Sequence, residues 1–216
     1  LYALESKRPL NEFDAIGFSL QYEMAYPTVL KMLEMSGIPY KNSERTDNDP
    51  IIIAGGPCAF NPLPVADFID VFMIGDGEDS IIEVCEILEK TKGQPRQQRI
   101  KALCDGENSG RWSAFIGGNV KKRIAQLTYD TALKSYPIPF SSSVHDRAIV
   151  EIRRGCGRMC RFCQPGHVTL PVRERPAEDI IKIAKELVKN TGYDEYSLLS
   201  LSSNDYANIK EVIKEL

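Results

Sequence analysis

The 216-residue chain is 43% hydrophobic and 26% charged with a formal net charge of −3, which fits one or two cored domains and gives no overall basic field of the kind that nucleic-acid binding uses. No run approaches the roughly 18 consecutive apolar residues of a membrane span, and the opening LYALESKRPL lacks the basic-then-apolar order of a signal peptide. Neither a membrane nor a nucleic-acid partner is indicated, and the expected compartment is the cytoplasm.

The first third alternates strand-like and helix-like segments. DAIGFSL (14–20) is short and apolar, and a helix comes next, opened by Pro27, closed near Gly37 and striped by Val29, Leu30, Met32 and Leu33. PIIIAGGP (50–57) is a β-branched run ending in glycines, and DVFMIGDGED (70–79) is another. SIIEVCEILEK then places Ile81, Ile82, Cys85 and Leu88 on one helical face, so Cys85 is expected in the core, with Cys58 and Cys104 as packing residues. Buried strands alternating with helices predict an α/β layer with a parallel sheet, whose ligand loops lie at the carboxyl ends of the strands. Residues 93–146 break this rhythm with TKGQPRQQR, CDGENSG and SYPIPFSSS. They read as a linker with short irregular strands and one helix, packed on something through Trp112 and Phe115.

The alternation resumes in AIVEI (148–152), which runs into RRGCGRMCRFCQPGH (153–167). Beyond it lies a helix, with Pro176 at its first turn, Glu178 and Asp179 at the positive end of its dipole, and Ala177, Ile180, Ile181, Ala184, Leu187 and Val188 as its apolar face; Gly192 is its stop. YSLLSL (196–201) is a second strand and YANIKEVIKEL a second helix. Two βα units cannot close a barrel, and the pattern starts and stops abruptly, so a fragment of a longer protein, inactive alone, is expected.

Cys156, Cys160 and Cys163 stand in a CxxxCxxC spacing. In a reducing compartment such crowding indicates metal ligation or catalysis rather than a disulfide framework. Three thiolates can hold three irons of a cubane cluster and leave the fourth iron open to another ligand. Gly155 and Gly157 let the backbone bend around the sulfurs and aim amides at them. Arg153, Arg154, Arg158, Arg161, Arg173 and Arg175 surround the motif, either as charge offset for a thiolate-rich or phosphate-bearing ligand or as a solvated basic loop. Two other readings remain: a Cys3His zinc site from the same cysteines with His167, and a redox disulfide that leaves one thiol unexplained.

RGCGRMCRFCQPG, with an aromatic residue just before its last cysteine, resembles the radical S-adenosylmethionine signature. GFSLQYEMAY, IIIAGGPCAFNPLPVADFIDVFMIGDGED, VHDRAIVEIRRGC and PVRERP resemble a subgroup of that family with an N-terminal cobalamin-binding-like domain. The resemblance implies an α/β chain: a truncated Rossmann-like, cobalamin-binding-like layer over residues 1–92, a linker over 93–146, and the first two βα units of a radical S-adenosylmethionine (βα) barrel over 147–216. It implies that Cys156, Cys160 and Cys163 ligate a 4Fe-4S cluster whose free iron chelates S-adenosylmethionine, with Phe162 near the adenine. Reductive cleavage would then give a 5'-deoxyadenosyl radical, with an electron donor such as flavodoxin or ferredoxin and an unknown substrate. It places Ser202 and Ser203, in SLSSNDY, near the amino group of S-adenosylmethionine; the alternative makes that stretch an ordinary helix cap. Cobalamin would bind without a histidine from the first domain, since the histidines are His145 and His167. Gly55 and Gly56 would admit its nucleotide tail, with Gly75–Gly77 lining the same crevice, unless both stretches are tight turns that open helices. A rival to catalysis keeps this fold as a corrinoid- or nucleotide-binding module with a merely structural cluster.

Overall fold

A computed structural model describes residues 1–106, 108–141 and 146–216. The chain divides into two compact units, Leu1–Ala125 and Gln126–Leu216. Among the described residues, no helix is long and apolar enough to cross a membrane.

The first unit is built on a sheet of order β1-β2-β3-β4: β1 (Ala15–Ser19), β2 (Ile51–Gly55) and β3 (Val71–Met73) run parallel, and β4 (Arg111–Trp112) adds antiparallel to β3. Strand β2 is central, and its alternate residues enter two different cores. Ile52 and Ala54 join Val29 and Leu33 of helix α1 (Tyr26–Met35), while Ile51 and Ile53 join Val84, Ile100 and Leu103. Those last three lie on helices α2 (Glu78–Lys90) and α3 (Arg96–Cys104). Covering both faces is why PIIIAGGP reads as an unbroken apolar run rather than an alternating one.

The α2 face differs from the one its sequence pattern predicts. Val84 is buried with Ile87 and Leu88 packed beside it, whereas Ile81 and Ile82 are 50% and 60% exposed and Cys85 is exposed. Apolar residues at 81, 82, 84, 85, 87 and 88 define two overlapping faces, and the strands select the one centred on Val84. Cys58 is buried and Cys104 half-buried, as packing residues should be. Trp112 packs on Phe72 with ring centroids 5.8 Å apart, but Phe115 is 41% exposed.

Charge is also buried beneath this sheet. Asp70, fully buried at the entry to β3, accepts from Arg45 Nη1 at 2.9 Å, from the guanidinium of Arg96 and from the Ile52 amide at 2.7 Å. Arg45 also donates to the carbonyls of Pro39, Tyr40 and Phe68, so the knot ties the α1–β2 loop to the sheet.

In the second unit, β5 (Ala148–Glu151) pairs in parallel with β8 (Tyr196–Leu199), the two being joined through helix α5 (Ala177–Thr191); helix α6 (Ile209–Glu215) comes after β8. Ile180, Ile183, Ala184 and Leu187 of α5 pack on Ala148, Val150 and Ile152. Ile183 replaces the expected Ile181 on this face, and Gly192 ends the helix in the left-handed region as expected. Between β5 and α5 a two-stranded ribbon, β6 (Arg153–Arg154) against β7 (Arg173–Glu174), pairs Arg153 with Glu174. The short helix α4 (Gln164–Val168) lies inside the excursion that this ribbon closes.

Candidate functional site

The three clustered cysteines sit in the loop between β6 and α4, past the carboxyl end of β5. The loop starts at Gly155, whose φ of +89° belongs to the left-handed side; a Cβ there would lie 2.9 Å from the carbonyl oxygens of Thr169 and Pro171. Any side chain would collide with the returning arm of the loop, so glycine is required. Beyond it Cys156 and Cys163 are half-buried and Cys160 is exposed. A Cys163 amide to Cys160 carbonyl bond of 2.9 Å turns the chain into α4. Phe162, beside the last cysteine, is 93% exposed.

Five of the six arginines around the motif are engaged by the protein itself, Arg173 through the carbonyls of Pro171 and Thr169. Arg154 forks onto Glu151 at 2.9 and 2.7 Å, and Arg153 meets Glu174 at 3.3 Å. Buried Arg175 donates to the carbonyls of Glu151 and Thr128, and its own carbonyl accepts from Tyr206 Oη at 2.8 Å. Arg158, between Cys156 and Cys160, forks onto Asp205 in the loop after β8. The local positive charge is therefore largely committed to carboxylates and carbonyls rather than left to offset a ligand.

That β8 loop carries Ser202 and Ser203. The Ser202 hydroxyl donates to Asp205 Oδ2 at 2.7 Å, its amide donates to Ser200 Oγ at 3.1 Å, and its carbonyl accepts from Arg153 Nη1 at 3.2 Å. Ser203 Oγ lies 3.0 Å from Ser200 Oγ. Ser202 stands at the N-cap position of a 3-10 turn, Ser203–Asp205, and Asn208 at that of α6, and neither makes a side-chain cap bond. Asp205 is held well below the usual carboxylate range, first by the hydrogen bond from Arg158 and then by that from Ser202. The sequence pattern singles out both serines but not Asp205, whose bond to Arg158 spans 47 positions and leaves no local signal.

Among the described residues, no three His, Cys, Asp or Glu side chains are gathered as a metal-holding group. The thiols share one loop without converging. For the zinc alternative, His167 Nε2 lies 3.2 Å from the Cys160 carbonyl, which only a protonated Nε2 can satisfy and which leaves Nδ1 as the nitrogen with a lone pair. The donor set itself, three soft thiolates in one loop with no fourth cysteine nearby in sequence, suits an iron–sulfur cluster.

The glycine loops of the first sheet are built differently. Gly56 has φ +93°, and a Cβ there would fall 2.8 Å from the Leu20 carbonyl oxygen; the carbonyl of neighbouring Gly55 accepts from the Leu20 amide at 2.8 Å. Gly75 (φ +105°) abuts the backbone of Arg123, whose amide donates to the Ile74 carbonyl at 2.9 Å and whose carbonyl accepts from the Asp76 amide at 3.0 Å. Gly77 opens α2, and a Cβ there would meet open space. The close approaches that Gly56 and Gly75 permit are thus to the protein's own backbone. His145 lies outside the described residues, and residues 1–125 contain no histidine.

Residues 1–109 match the family described as "Radical SAM proteins, N-terminal". An uncharacterized protein of Methanocaldococcus jannaschii is 31% identical over 98% of this chain and 44% of its own length. The tRNA-2-methylthio-N(6)-dimethylallyladenosine synthase of Clostridium tetani is 39% identical over 80% of this chain and 40% of its own length. The chain thus spans less than half of these relatives. The radical S-adenosylmethionine methyltransferase TsrM from Kitasatospora setae, solved with cobalamin and a [4Fe-4S] cluster bound, superposes with a TM-score of 0.59 over 94% of this chain and 41% of that one, at 12% identity. At that identity the likeness establishes the shared α/β fold.

Proposed function

The chain belongs to the radical S-adenosylmethionine proteins, and from that premise we propose that it is the amino-terminal part of an enzyme that holds a 4Fe-4S cluster on Cys156, Cys160 and Cys163 and generates a 5'-deoxyadenosyl radical. Bound there, the cluster would supply the electron that cleaves S-adenosylmethionine. The observation that carries this reading is the meeting of two loops past the carboxyl ends of neighbouring parallel strands. Arg158 of the cysteine loop is joined to Asp205 of the serine loop, and Arg153 to the Ser202 carbonyl. Ligands of open parallel sheets bind at such ends.

The chain's own residues have definite tasks. Gly155 lets the loop leave the ribbon in close contact with Thr169 and Pro171. Phe162, exposed next to Cys163, offers an apolar face on which an adenine can stack, shielding it from water. Ser202 and Ser203 present hydroxyl oxygens that can accept from an ammonium group. The reaction class we favour is methyl or methylthio transfer, because the relatives whose names state an activity are a methyltransferase and methylthio-adenosine synthases. A flavodoxin- or ferredoxin-like donor would deliver the electron.

Anaerobic reconstitution of the full-length protein with iron and sulfide tests the reading. About four irons per chain, brown visible absorption and S-adenosylmethionine cleavage on reduction are expected. A colourless protein that retains one zinc would favour the Cys3His alternative, and a cluster that never cleaves S-adenosylmethionine the non-catalytic one.

A further inference from the structure

The link between the two loops has a polarity of its own. Asp205 accepts both Arg158 nitrogens, Nε at 2.8 Å among them, and also the Ser202 hydroxyl proton at 2.7 Å; Arg153 Nη1 stands 3.9 Å from the same carboxylate. A hydroxyl whose proton is committed to a carboxylate has only lone pairs left to offer. Asp205 is 22% exposed in its side chain and Arg158 68%, so the fork lies at the rim rather than in the core.

We propose that Asp205 is a positioning residue with two separable tasks: it latches the cysteine loop to the β8 loop through Arg158, and it orients the Ser202 hydroxyl as an acceptor for the ammonium group of S-adenosylmethionine. The second task rests on the function proposed above; the first stands on the geometry of the chain alone. The fork joins residues 47 positions apart, beside the Arg153 bond to the Ser202 carbonyl and past the paired ends of β5 and β8. Charge-assisted forks of this kind give direction as well as attraction.

The test compares wild type, Asp205→Asn, Ser202→Ala and the exchanged pair Arg158→Asp/Asp205→Arg in the full-length protein. Amide hydrogen exchange without added metal reads the latch. Asp205→Asn should exchange about fivefold faster over 155–163 and 200–206, with an unchanged melting temperature, and the exchanged pair should restore wild-type rates. Binding of S-adenosylmethionine to the reconstituted proteins reads the orientation. Asp205→Asn and Ser202→Ala should each weaken it roughly tenfold, and the exchanged pair should stay weak, because an arginine at 205 donates to Ser202 instead of accepting from it. Wild-type exchange in Asp205→Asn overturns the latch, and so does a rise in exchange throughout the chain with a lower melting temperature, which marks a merely structural role. Wild-type affinity in Asp205→Asn overturns the orienting task. If wild type itself takes up no cluster, the proposed function fails, while the exchange comparison still decides the latch.

Discussion

The glycine loops of the first sheet and the cysteine loop of the second unit begin alike and end differently. Gly56, Gly75 and Gly155 all have positive φ and all leave no room for a Cβ. At Gly56 and Gly75 the neighbour is the backbone of Leu20 or Arg123, and amide-to-carbonyl bonds complete the turn. At Gly155 the close approach only shuts the base of an excursion, which goes on to expose Cys160 and Phe162 and is steadied by the Arg158–Asp205 fork. A constrained glycine therefore marks a loop's geometry, and the side chains beyond it decide whether that loop is finished by the chain or by a ligand.

The sharpest way to break this contrast is to remove a thiol. Alanine at Cys156, Cys160 or Cys163 should abolish stable cluster uptake, read as iron per chain after desalting, whereas alanine at Cys58 or Cys104 should leave it intact. Next in size is the buried charge beneath the first sheet. Asp70→Ala strands Arg45 and Arg96 and should destabilise the protein by about 3–5 kcal/mol in urea unfolding. Gly56→Ala should cost about 1–3 kcal/mol through the forced φ and the contact with Leu20, while Gly77→Ala, facing open space at the N-cap of α2, should cost no more than about 1 kcal/mol. The smallest effect is kinetic. Burial pushes the Cys104 thiol up to about 12 and raises that of Cys58 as well, so both remain protonated at pH 8 and should alkylate after exposed Cys85 and Cys160 in metal-free protein. Rapid labelling of Cys104 at that pH would show its surroundings to be far wetter than its burial implies.

Much of the fold is legible in the sequence because it depends on local period and punctuation. The stripe of α5, its Gly192 stop and the three parallel strands of the first sheet are all written in residues a few positions apart. The α2 face is misread from sequence because its apolar residues occupy too wide an arc for period alone to choose between Cys85 and Val84. The helix and short strand expected over 93–146 are α3 and β4, but their bounds and their place in the first unit are hidden, by the buried Arg96 and Arg99 of α3 and by the two-residue length of β4. At the candidate site the cysteines announce themselves through spacing and residue type. Asp205 does not, because one aspartate in SLSSNDY looks like any loop residue until the fold brings Arg158 to it. Gly55 and Gly56 illustrate the converse: a glycine pair signals close approach, but only the folded chain identifies Leu20 as the group that approaches.

By pinning Arg153 to Glu174 and Arg154 to Arg173, the β6–β7 ribbon clamps both feet of the intervening segment at a fixed separation. Any rearrangement of the cysteine loop on the metal capture proposed above would thereby be insulated from the Ala148–Tyr196 register.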